Sequence, residues 1–294
     1  QHQRFGQSTM LNPISIMADQ LGDYLSNLYL QYFSHRRPEF ASYLGGAARL
    51  VLERIGNSTA LYHNLEHTMM VTLAGQQIIR GRLLSQSVTP EDWLHYTCAL
   101  LVHDIGFVRG VCEGDGNGSV VINDAGEMFT PPRGASDACL APYHIDRGKM
   151  YAHERFGTSQ IIDEERIIHS IEMTRFPVPD GPAHAETDTE AALVRAADLI
   201  GQLADPFYHR KINALYAEMC ELGTADACNY SSAADMADKY PAFFRDQVEP
   251  YIQPALGYLE LTTEGKQWIA NLNSNLFQVE HRLGQIGPFP GPNS

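Results

Sequence analysis

Three short stretches of this sequence carry side chains that can do chemistry together. Residues 100–106 read Leu-Leu-Val-His-Asp-Ile-Gly, so His103 and Asp104 stand side by side at the end of an apolar run. An imidazole nitrogen beside a carboxylate oxygen suits a borderline divalent metal. A carboxylate carried into apolar surroundings also needs a cation or hydrogen-bond donors. Tyr62-His63-Asn64-Leu65-Glu66-His67 sets two histidines four residues apart, which on a helix puts them on one face, one turn from each other. Such a pair can divide its work, one ring holding a metal while the other moves a proton. Asp198 lies in Ala196-Ala197-Asp198-Leu199-Ile200, a carboxylate among apolar neighbours and so a candidate ligand or salt-bridge partner. Taken singly, each stretch also reads as a solvated helix end, a surface histidine pair or an ordinary ion pair.

The elements that must position these residues read as helices. Ile16, Leu21, Leu25, Leu28 and Tyr32 recur near the helical period, which predicts a helix over 14–33, and a shorter one over 40–54 is closed by Gly56-Asn57. A helix over 68–79 follows the two-histidine stretch. Thr89-Pro90-Glu91-Asp92 is a helix start, with an N-cap threonine, a proline at the first helical position and acids in the first turn. The helix over 91–101 delivers His103 and Asp104, while His95 is expected in the core or behind a ligand.

From 109 to 147 glycines and Pro131-Pro132 punctuate short β-like runs at 119–122 and 127–130, which predicts a small Gly-rich hairpin inserted in a helical protein. Such an insertion is either a lid beside a site or plain surface elaboration. Asp115-Gly116-Asn117-Gly118 lacks the full calcium-loop pattern. Helices resume over 149–162, 163–173, 189–203, 207–222, 241–259 and 263–279. Tyr240, Phe243, Phe244, Tyr251 and Tyr258 form a stripe that reads as core at helical spacing, or otherwise as a pocket wall or a homodimer face. Residues 1–12 are polar and 287–294 form a proline-rich tail. The chemistry-bearing residues run from 63 to 198, so the expectation is one all-α domain over 1–294 with its core at about 14–280.

Composition narrows the function classes. With 35 acidic and 21 basic residues the formal charge is −14, which argues against a partner such as a nucleic-acid polymer or an anionic membrane. A small phosphorylated ligand stays open, because a metal reverses the local potential. Five scattered cysteines without a Cys-x-x-Cys pair are neither a disulfide framework nor a thiolate zinc site. No run approaches the roughly 18 apolar residues of a membrane span, and no basic-then-apolar leader opens the sequence. The expectation is a soluble, cytoplasmic protein.

In this order, Tyr62-His63-Asn64-x-x-His67, His103-Asp104 and the Ala-Asp198 helix resemble the HD-domain metal-dependent phosphohydrolase superfamily, and the first motif is especially similar to class I cyclic-nucleotide phosphodiesterases. The resemblance covers roughly residues 60 to 205. It implies an HD-domain, phosphodiesterase-like helical bundle in which His67, His103, Asp104 and Asp198 ligate a divalent ion, one or two per chain, of zinc, manganese, magnesium or iron. Asp104 would bridge a second ion, and His63 would donate a proton to the leaving oxygen. Tyr62 and Arg109 are candidate substrate contacts, and Arg147 and Arg155 are further candidates for holding a phosphate. The implied partner is a small phosphorylated substrate, a nucleotide with a phosphodiester.

Two features depart from that family. Phe107 stands where it has a further histidine, so His144, His153 or Glu154 would have to complete a second metal site, and the Gly-rich insertion carries no family precedent for specificity. The alternative readings are an HD-type di-iron oxygenase, which needs two firmly held irons, and a non-catalytic metal- or nucleotide-binding module.

Overall fold

The computed structural model describes residues 12–281, and the proline-rich tail expected at 287–294 lies outside the described residues, as does most of the polar opening. Helices α1 (Pro13–Phe33) and α2 (Glu39–Ile55) form an antiparallel hairpin. Leu21, Leu25 and Leu28 are buried as the periodicity predicts, whereas Ile16 is exposed and Ile14 of the same turn packs against the core instead.

Helices α3 (Leu65–Ser85) and α4 (Pro90–Val102) occupy the middle of the molecule. Every residue of α4 from Trp93 to Val102 is buried. Its start is the expected one: Thr89 Oγ1 accepts from the Asp92 amide, the Asp92 carboxylate accepts from the Thr89 amide, and Pro90 takes the first turn. Helix α3 is buried nearly all round and carries Thr68, Thr72, Gln76 and Gln77 inside. Thr72 returns its hydroxyl to the Thr68 carbonyl and Gln76 donates to Thr97, so part of this inward polarity is satisfied locally.

After a 3-10 turn at Ile105–Phe107, residues 109–143 form the insertion. Strands β1 (Val120–Val121) and β2 (Met128–Phe129) pair antiparallel, with Val120 opposite Phe129 and Val121 opposite Met128, shorter than the predicted runs. The insertion is pinned by Arg147, whose fully buried guanidinium pairs with Asp115 at 2.8 Å and donates to the carbonyls of Gly106, Val108 and Val121. Asp115 therefore serves an ion pair and not a calcium loop, and Arg147 is occupied as an internal staple.

Helices α6 (Glu164–Met173) and α7 (Glu190–Leu203) pack against α4, and α5 (His144–Phe156) packs on α6 and on the 3-10 turn that follows α4. Helices α8 (Tyr208–Leu222), α9 (Thr224–Ala227), α10 (Ala233–Asp238), α11 (Tyr240–Phe243), α12 (Glu249–Leu259) and α13 (Thr263–Glu280) close the bundle. The single helix expected over 241–259 is broken by a π-helical segment, Phe244–Val248, ahead of Pro250. Tyr240, Phe244 and Tyr258 are buried, in keeping with the core reading of the aromatic stripe. One continuous apolar core runs from Ala18 to Leu272. No helix among the described residues is long and apolar enough to cross a membrane.

Candidate metal centre

Three helices converge on one point. His67 enters from the first turn of α3, His103 and Asp104 follow the C-terminal end of α4, and Asp198 comes from α7. The register of α3 is set by Asn64, whose side-chain oxygen accepts from the amides of Glu66 and His67. Helix α7 lies close because Gly201 faces Val71: a Cβ at Gly201 would stand 2.7 Å from the Val71 Cα.

His67 Nε2 lies 3.3 Å from Asp104 Oδ2 and 3.3 Å from Asp198 Oδ1. His103 Nε2 lies 3.2 Å from Asp104 Oδ2, 3.8 Å from Asp198 Oδ1 and 3.5 Å from His67 Nε2. Ligand atoms at the usual ~2.0–2.2 Å from a common ion stand roughly 3.0–3.5 Å from one another. His67, His103 and Asp198 each offer an atom within 4.8 Å of the other two, close enough to draw in on one ion, and Asp104 Oδ2 lies against both histidines. His103 Nδ1 donates to the Leu100 carbonyl at 2.8 Å, which leaves the lone pair on Nε2. Asp104 Oδ2 is buried and has no hydrogen-bond partner, although two imidazole nitrogens are near. Electron-pair donors facing each other in a buried space call for a positive charge between them.

The titration behaviour points the same way. Burial disfavours charge on His67, but Asp104 and Asp198 outweigh it and push the imidazole up to about 10. His103 is raised for the same reason. Burial likewise opposes charge on Asp104, and the neighbouring histidines override it, holding the carboxyl well below its ordinary range. In place of protons on those rings, a divalent cation would satisfy the same two carboxylates.

His63 sits beside this cluster, its ring 5.5 Å from that of His67. It does not lie on α3, as the four-residue spacing predicts, because Asn64 is the N-cap and His63 precedes the helix. Glu218 of α8 fixes it instead. Glu218 Oε2 is 2.6 Å from His63 Nδ1, and Oε1 accepts from the amides of Tyr62 at 2.7 Å and His63 at 3.3 Å. Burial raises the Glu218 carboxyl, but these bonds override it and lower its pKa, so it is ionised and takes the Nδ1 hydrogen. Nothing in the sequence separates Glu218 from the other acids of its amphipathic helix. Tyr62 is buried with its ring 5.3 Å from those of both His63 and His67.

The 63 ring stacks on Phe107, 4.7 Å between centroids, and Phe107 stacks on His144 at 4.4 Å. Of the three residues considered for a second ion, His144 is near, its Nε2 3.9 Å from Asp104 Oδ1. His153 is exposed and pairs with Glu164, and Glu154 accepts from the Glu113 amide. Arg109 is exposed and engaged by Asp137 and the carbonyls of Ala135 and Ser136. His95 is a core residue that donates to the Glu91 carbonyl and accepts from the Asp163 amide.

The sequence matches the model of the Npun_R2479-like family over residues 11–282. No curated protein matches it. Among solved structures, the phosphodiesterase domain of the RhoPDE fusion protein from the choanoflagellate Salpingoeca rosetta is similar, with 16% identity and a TM-score of 0.52 across 93% of this chain and 92% of that one. At that identity the likeness is one of fold, a phosphodiesterase-like arrangement of helices. The chain belongs to the Npun_R2479-like family.

Proposed function

We propose that this chain is a metal-dependent phosphohydrolase of the HD-domain type that acts on a phosphodiester of a small nucleotide. The observation that supports it most is the convergence of His67 Nε2, His103 Nε2, Asp104 Oδ2 and Asp198 Oδ1 beside a histidine that is itself oriented by a carboxylate. A divalent ion on those four atoms would acidify a water for attack on phosphorus and draw charge from the phosphoryl oxygens. The mixed nitrogen and oxygen set suits zinc, manganese or iron better than magnesium.

The remaining steps belong to the protein. Asp198 is the most exposed of the four ligands and marks the open side of the site. Glu218 holds the hydrogen on His63 Nδ1, so Nε2 is the atom that exchanges a proton with the substrate. The departing alkoxide needs such a proton. Phe107 backs the ring and fixes its plane. A binding module has no need of a buried carboxylate that orients a second histidine.

The test strips the purified protein of metal, restores manganese, zinc, iron or magnesium separately, and measures turnover of cyclic nucleotides, an unactivated monoester and an activated diester. Metal-restored diester hydrolysis that disappears in Asp104→Ala is the expected result. Stoichiometric metal binding without turnover of any ester would overturn the reading, and oxygen uptake by an iron-loaded protein would replace it with the oxygenase.

A further inference from the structure

Away from the metal centre, α2, α4 and α5 enclose a cleft of about 340 Å³, within the size range of small-molecule sites. Its walls are apolar: Leu50, Val51, Leu101, Val102 and Phe156 face it. Ser42, Tyr43, Tyr151 and Cys98 add uncharged polar groups, and Arg155 is the one charged side chain of the lining. Arg155 lines the mouth, and the guanidinium charges of Arg155 and Arg54 both act on the Tyr151 hydroxyl in the wall. No aspartate or glutamate lines the cleft, although the chain carries 35. Among the described residues neither arginine has an ion-pair partner, while Arg37, Arg49, Arg147, Arg166 and Arg175 all do.

We infer that this cleft binds an anionic amphiphile, a small molecule with an apolar chain and a carboxylate head that meets Arg155. The apolar walls supply the favourable burial and the unpaired guanidinium supplies the charge and the fork of donors that a carboxylate fits. Gly46 borders the cleft with open space where a Cβ would stand, so the wall there has room for the chain.

The test titrates the full chain with straight-chain carboxylates from hexanoate to decanoate, with decanol and decylammonium as controls, by calorimetry. Saturable one-to-one binding is expected, tightening about fourfold per methylene and at least tenfold weaker for the alcohol. Two variants block it by different means, Gly46→Phe by filling the space and Arg155→Glu by reversing the charge. Both change exposed positions, and circular dichroism melting without ligand shows that they fold. Loss of decanoate binding in both supports the site. Equal binding of decylammonium, unchanged affinity in either folded variant, or no saturation with any carboxylate overturns it.

Discussion

Glu218 and His63, 155 residues apart in sequence, meet at 2.6 Å between Oε2 and Nδ1, while the same carboxylate also accepts the Tyr62 and His63 amides. One acid therefore fixes both the backbone and the ring of the loop that precedes α3. Glu218→Gln keeps the shape but can no longer guarantee the Nδ1–H tautomer. Turnover should fall about 10- to 100-fold with metal content unchanged. In a His63→Ala background, itself about 100-fold or more impaired, the second change should add little, because the two act as a unit. Additive losses in that double-mutant cycle would mean that Glu218 acts elsewhere.

The four-atom cluster predicts a large difference between the metal-free and loaded proteins. A ligand present at about 1,000 times its dissociation constant stabilises the folded state by about 4 kcal/mol. Thermal unfolding should show that gain for the wild type with manganese or zinc, and Asp104→Ala should show none. An equal rise in both proteins would place the binding ions outside this cluster.

The parts of this fold that repeat locally were legible from the sequence, and the parts made by distant contacts were not. The Thr89-Pro90-Glu91-Asp92 start was readable because a capping box uses neighbouring residues. His103, Asp104 and Asp198 were readable because each stands in an apolar stretch as a group that needs a partner, and His67 from its spacing to His63 and the ordered motif it belongs to. The position of His63 was read from helical spacing, and the Asn64 cap displaced it from the helix. Glu218 was invisible, since what sets it apart from Glu221 is which neighbour α8 presents it to: one meets the 62–63 loop and the other the Ser136 amide and hydroxyl. Helices α9 and α10 were missed because they are one or two turns long and carry too few residues to show a period.

Acid should loosen the insertion first. The Arg147 side chain is fully buried and that of Asp115 nearly so. Burial raises the Asp115 carboxyl, but Arg147 and the backbone amides override this and lower it. The folded pKa is thus below the unfolded value of about 4, so its stabilisation is complete above about pH 4 and is lost as pH falls through the folded value. Asp115→Asn should flatten the acid limb of a stability-versus-pH curve. Arg147→Ala, which strands a buried carboxylate, should cost about 3–5 kcal/mol at neutral pH in denaturant unfolding. If both variants melt like the wild type at every pH, the pair does not hold the insertion.

Gly106, two residues beyond Asp104, is a packing position. A Cβ there would stand 1.9 Å from the His144 carbonyl oxygen and 2.8 Å from the Gly148 amide nitrogen, so no rotamer relieves the clash. The first turn of α5 would have to move, carrying His144 away from Asp104 and breaking its stack on Phe107. Gly106→Ala should therefore cost about 3 kcal/mol and weaken metal uptake together. Gly116, in the insertion, has open space at the same point and no positive φ, so Gly116→Ala should stay within about 0.5 kcal/mol of wild type. Urea unfolding and metal titration of the two variants side by side separate a tight contact from the mere loss of a flexible residue. A Gly106→Ala protein that matches Gly116→Ala in both would show that α5 can shift without disturbing the centre.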